Sequence, residues 1–203
     1  MERSQVPEIM DDPNCPEEVL QTGHHGLQRI HRLLGNTRYL ARAIASDPHP
    51  VRRVMDIGCG RGGLLRQIRS RVPVETIGVD LRPSPGVIPL NAVQDPLPEA
   101  DVAFAVYMLH HLDEPDVVKL IRNVRRSCRR FIVLEVVRHP APLWLYRAFI
   151  APLVPRVNAI DGARSVERGF TVPELNGLVR EAVGGDPFRH SVAPLYTRQV
   201  VDI

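Results

Sequence analysis

Residues 56–63, with the sequence DIGCGRGG, constrain the fold more than any other part of the chain. Residues 51–57 are predicted to form a buried strand that ends within this stretch. Residues 64–69 follow it, and their apolar positions recur at helical spacing. Glycines allow the backbone to turn tightly and allow a ligand to lie against it. The stretch therefore predicts a ligand-binding loop between a strand and a helix.

The rest of the chain continues this alternation of strand and helix. Further strands are predicted at residues 74–79, 87–93, 101–106 and 131–137, and a helix begins near Glu114 with its apolar residues on one face. Alternating strands and helices imply an α/β fold with a parallel sheet.

A length of 203 residues favours a single domain. Residues 1–15 are polar and are predicted to be a loose lead-in, and Asn36 is predicted to cap the second of two early helices. The expected parts of the domain are an N-terminal helical cap at 16–46, a cofactor-binding core at 51–137, an acceptor-side insertion at 138–170, and a closing helix and strands at 171–203.

Composition places the chain in an ordinary class. Hydrophobic residues make up 44% and charged residues 24%, which is typical of a soluble globular protein, and no window approaches the length of a membrane span. The start lacks the apolar core of a signal peptide, and three scattered cysteines fit neither a disulfide framework nor a zinc site. These features predict a cytoplasmic protein without a structural metal and without stable membrane insertion.

The basic residues are unusual, because 25 of the 26 are arginine. Genome composition explains such a bias, and a surface for nucleic acid is the functional alternative. Arg122, Arg125, Arg126 and Arg129 form one stripe opposite the apolar face of their helix, without the interleaved aromatics of a single-strand RNA surface. We therefore expect a solvated stripe and no nucleic-acid partner.

Two acidic residues define the ligand of the glycine loop. Gly58, Gly60 and Gly63 also satisfy the dinucleotide pattern, so a nicotinamide oxidoreductase must be considered. Asp56, however, would repel a pyrophosphate and would suit a cation such as the ammonium and sulfonium groups of S-adenosylmethionine (SAM). Asp80 ends the second predicted strand, where a ribose hydroxyl would lie. This pattern resembles the class I SAM-dependent methyltransferases.

More of the chain agrees with that resemblance. The turn at 94–98 is similar to the acidic turn after strand three of the family, and residues 101–112 are similar to its strand-four segment. The resemblance covers residues 54–137, and it implies a Rossmann-like seven-stranded sheet of order 3-2-1-4-5-7-6. The last strand would be antiparallel, and helices would cover both faces.

The resemblance also implies a set of cofactor-binding residues: Arg38, Asp56, Gly58, Gly60, Asp80, Leu81, Gln94, Asp95 and Tyr107. In this set Asp80 would bind the ribose, Asp95 the adenine amino group and Arg38 the cofactor carboxylate. Leu81 would pack on the adenine. Only 14 residues, several of them proline, separate Asp80 from Asp95, so the usual helix there is shortened or absent and cofactor affinity should be reduced.

Two histidines follow strand four, at the sheet edge where ligands bind in open α/β folds. His110 or His111 could serve as the general base for an oxygen nucleophile. The structural alternative is that His111 pins the next helix while His110 lines the pocket.

The acceptor side is predicted from residues near the end of strand five and beyond it: Glu135, Arg138, Trp144, Tyr146, Asp161 and Arg168. Their pattern resembles small bacterial methyltransferases that act on polyketide-like or quinone-like compounds. Residues 141–157 could form a helical flap over a hydrophobic ligand, a core segment, or a helix at a membrane interface.

The sequence as a whole predicts a bacterial, SAM-dependent O-methyltransferase of secondary metabolism. Its acceptor would be a small hydrophobic molecule, and the protein would be a monomer or homodimer. The alternatives are a non-catalytic SAM-binding module and a methyltransferase of RNA or protein.

Overall fold

The computed structural model describes all 203 residues, which form a seven-stranded sheet of order β3-β2-β1-β4-β5-β7-β6 with helices around it. The strands are β1 Arg53–Ile57, β2 Glu75–Asp80, β3 Ile88–Pro89, β4 Ala100–Val106, β5 Cys128–Glu135, β6 Arg189–Val192 and β7 Gln199–Asp202. The helices are α1 Glu17–Leu33, α2 Asn36–Ala45, α3 Gly63–Arg69, α4 Glu114–Ser127, α5 Pro140–Leu145, α6 Arg156–Arg168 and α7 Val172–Val183.

The strand directions confirm the predicted topology. β1 pairs in parallel with β2 and β4, and β4 pairs in parallel with β5. β7 is antiparallel to both of its neighbours, β5 and β6, so it alone runs against the other strands. β3 has only two residues, and no helix forms between β2 and β3, which confirms the predicted shortening.

Both faces of the sheet are covered. α4 and α7 contribute residues such as Leu120 and Leu175 to the core on one face, while α2 and α3 contribute Leu40 and Ile68 to the core on the other. All four of these side chains are almost fully buried, and burial of one stabilises the fold by about 1.5–3 kcal/mol. Because helices cover both faces of the sheet, the central strands are continuous apolar runs in the sequence.

The break between the first two helices has a different cause from the one predicted. Gly35, at φ 70°, adopts the left-handed conformation before α2, and Asn36 is the first helical residue rather than the cap. The Asn36 side chain is buried, where it bonds His31 Nδ1 and accepts from Arg198. At the start of α7, Thr171 and Glu174 form a capping box.

Residues 1–12 are not the loose lead-in predicted from their polarity. Ser4 N–H donates to the Glu167 carbonyl, and Ile9 and Met10 N–H donate to the Asp161 carboxylate. This segment therefore lies against α6, near the carboxyl edge of the sheet. No helix of the protein is both long enough and apolar enough to cross a bilayer.

Candidate active site

A cavity of about 860 Å³ opens at the carboxyl edge of the sheet. Its walls come from the glycine loop, the ends of β1, β2 and β4, helices α1 and α6, and the N-terminal segment. That volume lies within the roughly 300–1,000 Å³ range of small-molecule sites. The topology places it where ligands bind in open α/β sheets.

The glycine loop presents bare backbone to this cavity. Gly58 and Gly60 have φ values of 71° and 54°, a conformation that strongly favours glycine. A Cβ atom at Gly58 would lie 2.5 Å from Met108 Cγ, and one at Gly60 would lie 2.9 Å from His24 Cε1. Both positions therefore need glycine for conformation and for space.

Two carboxylates stand beside the loop. Asp80 accepts from Gly60 N–H at 2.7 Å and from Arg82 N–H at 2.9 Å, so the loop and the end of β2 are held together. Asp56 is only 3% exposed, and burial, reinforced by the charge of Asp80, raises its pKa well above the usual range. A cationic ligand would relieve this cost, whereas a pyrophosphate would increase it.

Three predicted cofactor residues lie outside the cavity walls. Arg38 is exposed on α2, away from the buried stripe of that helix. Gln94 and Asp95 are also exposed, and Asp95 accepts from Asn91 N–H at 2.6 Å, which closes a turn. Asn91, two residues beyond β3, lies in the cavity wall instead.

The other predicted cofactor residues do lie in the walls. Leu81 lines the cavity although 70% of it is exposed, because no helix follows β2 to cover it. Tyr107 also lines it, with its hydroxyl 3.4 Å from Asn36 Oδ1 and its ring stacked on His31. Burial raises the pKa of Tyr107 to about 12, so the phenol is protonated at neutral pH.

His110 is held as a cation and does not fit the predicted role of general base. The residue is 1% exposed, with Nδ1 2.8 Å from Glu135 Oε1 and Nε2 3.2 Å from Glu8 Oε1. Burial lowers its pKa, but the two carboxylates outweigh burial and raise it to about 10. Both nitrogens therefore donate, and Glu135 is a buried partner of His110 rather than a wall of the acceptor site.

His111 is the histidine that remains available. It lines the cavity and is partly exposed, and its Nδ1 lies 3.1 Å from Asp11 Oδ2. Burial raises the pKa of Asp11, but the contacts with His111, the Glu8 backbone and Arg168 together outweigh burial and lower it. An ionised Asp11 favours the tautomer with hydrogen on Nδ1, which leaves Nε2 to accept a proton.

The residues predicted for the acceptor side divide into two groups. Tyr146, Asp161 and Arg168 line the cavity. Trp144 is 64% exposed on the outer side of α5, packed edge-on against Phe149. Arg138 is buried away from the cavity, where it bonds Glu174 and the Gly169 carbonyl.

Asp161 and Arg168 lie on α6. Buried Val157 and Val166 give this helix a core-facing side. Arg168 donates to the His110 carbonyl and lies 3.3 Å from Asp11 Oδ2, and Asp161 accepts from the backbone of Ile9. These contacts hold the N-terminal segment over the acceptor end of the cavity.

Sequence reasoning missed several polar wall residues, among them Glu8, Asp11, His24 and Asn91. Glu8 and Asp11 lie about 100 residues from the histidines they bind, so no local motif joins them. Asn91 could have been found, because it stands two residues beyond β3, at the carboxyl edge of the sheet.

The chain contains one cluster with the geometry of a metal site. Ring nitrogens of His110 and His111 and a Glu8 carboxylate oxygen lie within 4.8 Å of one another. Both nitrogens of His110 already have carboxylate partners, so the arrangement fits a charged imidazole. The absence of a metal stays a prediction.

Solved structures share this fold. The chain aligns with human N-acetylserotonin methyltransferase, solved with SAM, at 18% identity and TM-score 0.63, covering 91% of this chain and 55% of that one. It aligns with the plantazolicin methyltransferase BamL, solved with S-adenosylhomocysteine (SAH) and a triazolic desmethylPZN analog, at 14% identity and TM-score 0.69, covering 93% and 75%.

A candidate O-methyltransferase from Nostoc punctiforme PCC 73102 aligns at 16% identity and TM-score 0.65, over 99% of this chain and 64% of that one. The chain thus spans less than two thirds of the length of that protein and of the human enzyme. No curated protein sequence matches the chain at a significant level.

A family model described as a methyltransferase domain matches residues 25–157, which is more than half of the chain. The match includes the glycine loop, Asp80 and the two histidines after β4. Together with the strand order, it confirms the resemblance to class I methyltransferases. The chain belongs to the methyltransferase-domain family.

Proposed function

We propose that the protein transfers the methyl group of SAM to an oxygen atom of a small hydrophobic metabolite. The observation that carries this proposal is one continuous cavity. It runs from the glycine loop, beside Asp56 and Asp80, past His111 to an apolar end. A cation-accepting site, a candidate base and an apolar acceptor site thus share one space.

The cofactor end has polar groups suited to each part of SAM. Asp80 is positioned to accept from the ribose hydroxyls, and Asp56 to balance the positive charges of the methionine end. Asn91 takes the role predicted for Asp95 at the adenine. His24 and Gln28 on α1 face the glycine loop and replace Arg38 as candidates for the cofactor carboxylate.

The acceptor end favours a flat or elongated apolar molecule. Leu20 and Leu27 of α1 face it from one element, and Leu145, Phe149 and Ile150 face it from the segment after β5. A phenol-, quinone- or polyketide-like acceptor fits such walls. Coverage by the N-terminal segment disfavours RNA or a folded protein as the acceptor.

The proposed methyl transfer is a direct displacement. The acceptor oxygen attacks the methyl carbon, the carbon–sulfur bond breaks, and SAH leaves. His111 Nε2 takes the acceptor proton, while Asp11 keeps the ring in the required tautomer. The protein otherwise aligns the reacting atoms and excludes water.

Changing His111 to glutamine tests this assignment. Purified protein is incubated with methyl-labelled SAM and an organic extract of the source organism, and mass spectrometry identifies the labelled product. We expect His111→Gln to lower the rate constant by about 10²–10⁴-fold, the usual contribution of a general base. Stabilisation by SAH should stay unchanged.

The exposed His25→Gln on α1 is the matched control and should retain full activity. Unchanged turnover in His111→Gln would contradict the assignment of the base. A labelled nitrogen or carbon in the product would contradict O-methylation. We further propose a single cytoplasmic methyltransferase domain spanning residues 1–203, active as a monomer or homodimer.

A further inference from the structure

We propose that the surface formed by residues 140–156 and 187–198 docks on an anionic lipid bilayer and receives the acceptor from it. The inference rests on the proposed function, because a hydrophobic acceptor partitions into membranes. We call these two stretches the docking surface. Four features of the structure carry the proposal.

The first feature is exposed apolar area. Trp144, Phe149 and Leu153 in the first stretch and Leu195 and Tyr196 in the second are all about half exposed or more. The stretches adjoin, because the Tyr196 ring stacks on His139, the residue before α5, with 4.5 Å between ring centroids. Exposed apolar patches that contain tryptophan and tyrosine are typical of membrane interfaces.

The second feature is backbone strain in the turn between β6 and β7. Leu195 and Tyr196 both have φ 57°, a left-handed conformation that bulky residues rarely adopt. In this conformation Leu195 stays 63% exposed, and Tyr196 stays 46% exposed although its ring stacks on His139. Strained positions that keep much of their apolar surface in solvent indicate a functional surface.

The third feature is charge. The two stretches contain four arginines and no aspartate or glutamate of their own, although the chain as a whole has 23 acidic residues. Arg147 pairs with Glu167 and Arg198 donates to Asn36, so Arg156 and Arg189 supply the charge of the surface. Arg156 and Arg189 are exposed. Apolar and aromatic side chains next to arginines match the boundary between acyl chains and anionic headgroups.

The fourth feature is continuity with the cavity. Leu145, Tyr146 and Ile150 line it from the first stretch, and Thr197 lines it from the second. Phe149 both lines the cavity and is exposed, so it marks the mouth. A lipid-soluble acceptor can therefore pass from a docked bilayer to His111 without crossing bulk water.

A bilayer fits these features better than a protein or nucleic acid does. A symmetric contact with a second copy would place Arg156 and Arg189 of both copies, which form no ion pair within the chain, at one interface. A single-stranded nucleic acid would stack on the aromatic rings but would leave the exposed aliphatic side chains of Leu153 and Leu195 without a partner.

The sole tryptophan provides a direct probe, because Trp144 lies on the docking surface. The full chain is titrated with vesicles of phosphatidylcholine alone and with vesicles that also contain phosphatidylglycerol. We expect a blue shift of Trp144 emission, quenching by brominated lipid, and cosedimentation that is strong only with the anionic vesicles. No shift and no cosedimentation would overturn the proposal.

Variants separate the apolar and ionic contributions. Leu195→Gly relieves the strain and removes the side chain, so it should fold normally yet weaken vesicle binding, whereas Leu33→Ser, exposed on α1, should not. Arg156→Gln with Arg189→Gln should weaken anionic binding by about 25-fold, since each cation near such a surface contributes roughly fivefold. Arg126→Gln on α4 is the matched control.

Two outcomes keep this proposal distinct from the proposed function. Normal stabilisation by SAH without vesicle binding would overturn the docking surface alone. Vesicle binding without stabilisation by SAH would overturn the proposed function. A dimer in sedimentation velocity that Leu195→Gly dissociates, with no vesicle binding, would assign the surface to a second copy and overturn the lipid proposal.

Discussion

At the residue scale, Asp56 is the residue that favours a cationic ligand over an anionic one. It stands at the end of β1, buried beside Asp80, and burial and Asp80 both raise its pKa. An ionisable group with a raised folded pKa lowers stability as the pH rises above its unfolded value of 3.8. The free protein therefore bears a cost at neutral pH that a cationic ligand relieves.

Replacing Asp56 with asparagine should have two opposite effects. The free protein should melt at the same temperature or higher, because a buried charge is removed. The shift caused by SAH should shrink, because its ammonium group loses a counter-charge. Differential scanning fluorimetry measures both, with exposed Glu99→Gln as the control. A full SAH shift in Asp56→Asn would contradict this role.

The Glu8–His110–Glu135 cluster predicts a pH dependence of stability. The pKa of His110 rises from 6.5 to about 10 on folding. Its contribution is therefore complete below pH 6.5 and is lost as the pH rises through about 10. The free energy of unfolding in urea should fall over this range in the wild type and fall less steeply in His110→Gln. Equal slopes in the two proteins would show that His110 is not held as a cation, and His25→Gln should keep the wild-type slope.

Sequence reasoning placed a residue correctly in the fold where its position follows from local pattern. Asp56, Gly58 and Asp80 lie on adjacent strand ends whose order follows from the alternation of elements. The two histidines could not be distinguished, because their roles depend on Glu8 and Asp11, which are remote in sequence.

At the element scale, the strands and main helices were predictable because their apolar periodicity is strong. The core strands β1, β4 and β5 and helix α4 lie near their predicted positions. α6 was not predicted, because its sequence is polar. Its polar side chains bond the N-terminal segment, and such tertiary contacts cannot be seen in the local sequence pattern. Arg38 was predicted to bind the cofactor carboxylate, but it lies outside the cavity walls. Helix periodicity alone does not show which face of a helix meets a ligand.

The missing helix after β2 leads to a prediction about affinity. Leu81 is largely exposed, and Arg82 is tied to the carbonyls of Asp11 and Asp12 instead of continuing into a helix. The adenosine should remain partly in solvent, so SAH should bind with a dissociation constant no tighter than the micromolar range. Calorimetry measures it directly, and a submicromolar value would contradict the prediction.

At the scale of the whole molecule, arginines fasten distant segments together. The arginine stripe on α4 and its end is exposed, as predicted, and three of its members also bind neighbouring elements. Arg129 pairs with Asp47, Arg125 with Asp186, and Arg122 with the Glu181 carbonyl. Arg3 likewise donates to the carbonyls of Arg168 and Leu112, which fixes the N-terminal segment.

This arrangement explains how the chain encloses its cavity. The parallel core supplies one side of it, while the N-terminal segment, α1 and the segment after β5 supply the other walls. The core was predictable from the sequence. The closure was not, because it depends on polar contacts between the first and last thirds of the chain.

Ligand-induced stabilisation tests the central claim, that the cavity is a SAM site. Melting temperatures are compared with SAH, NAD and NADP for the wild type and for Asp80→Ala. A ligand at about 100 times its dissociation constant stabilises by about 2.7 kcal/mol, which is readily measured. The account predicts stabilisation of the wild type by SAH alone and its loss in Asp80→Ala. Stabilisation by NAD or NADP without any by SAH would contradict it.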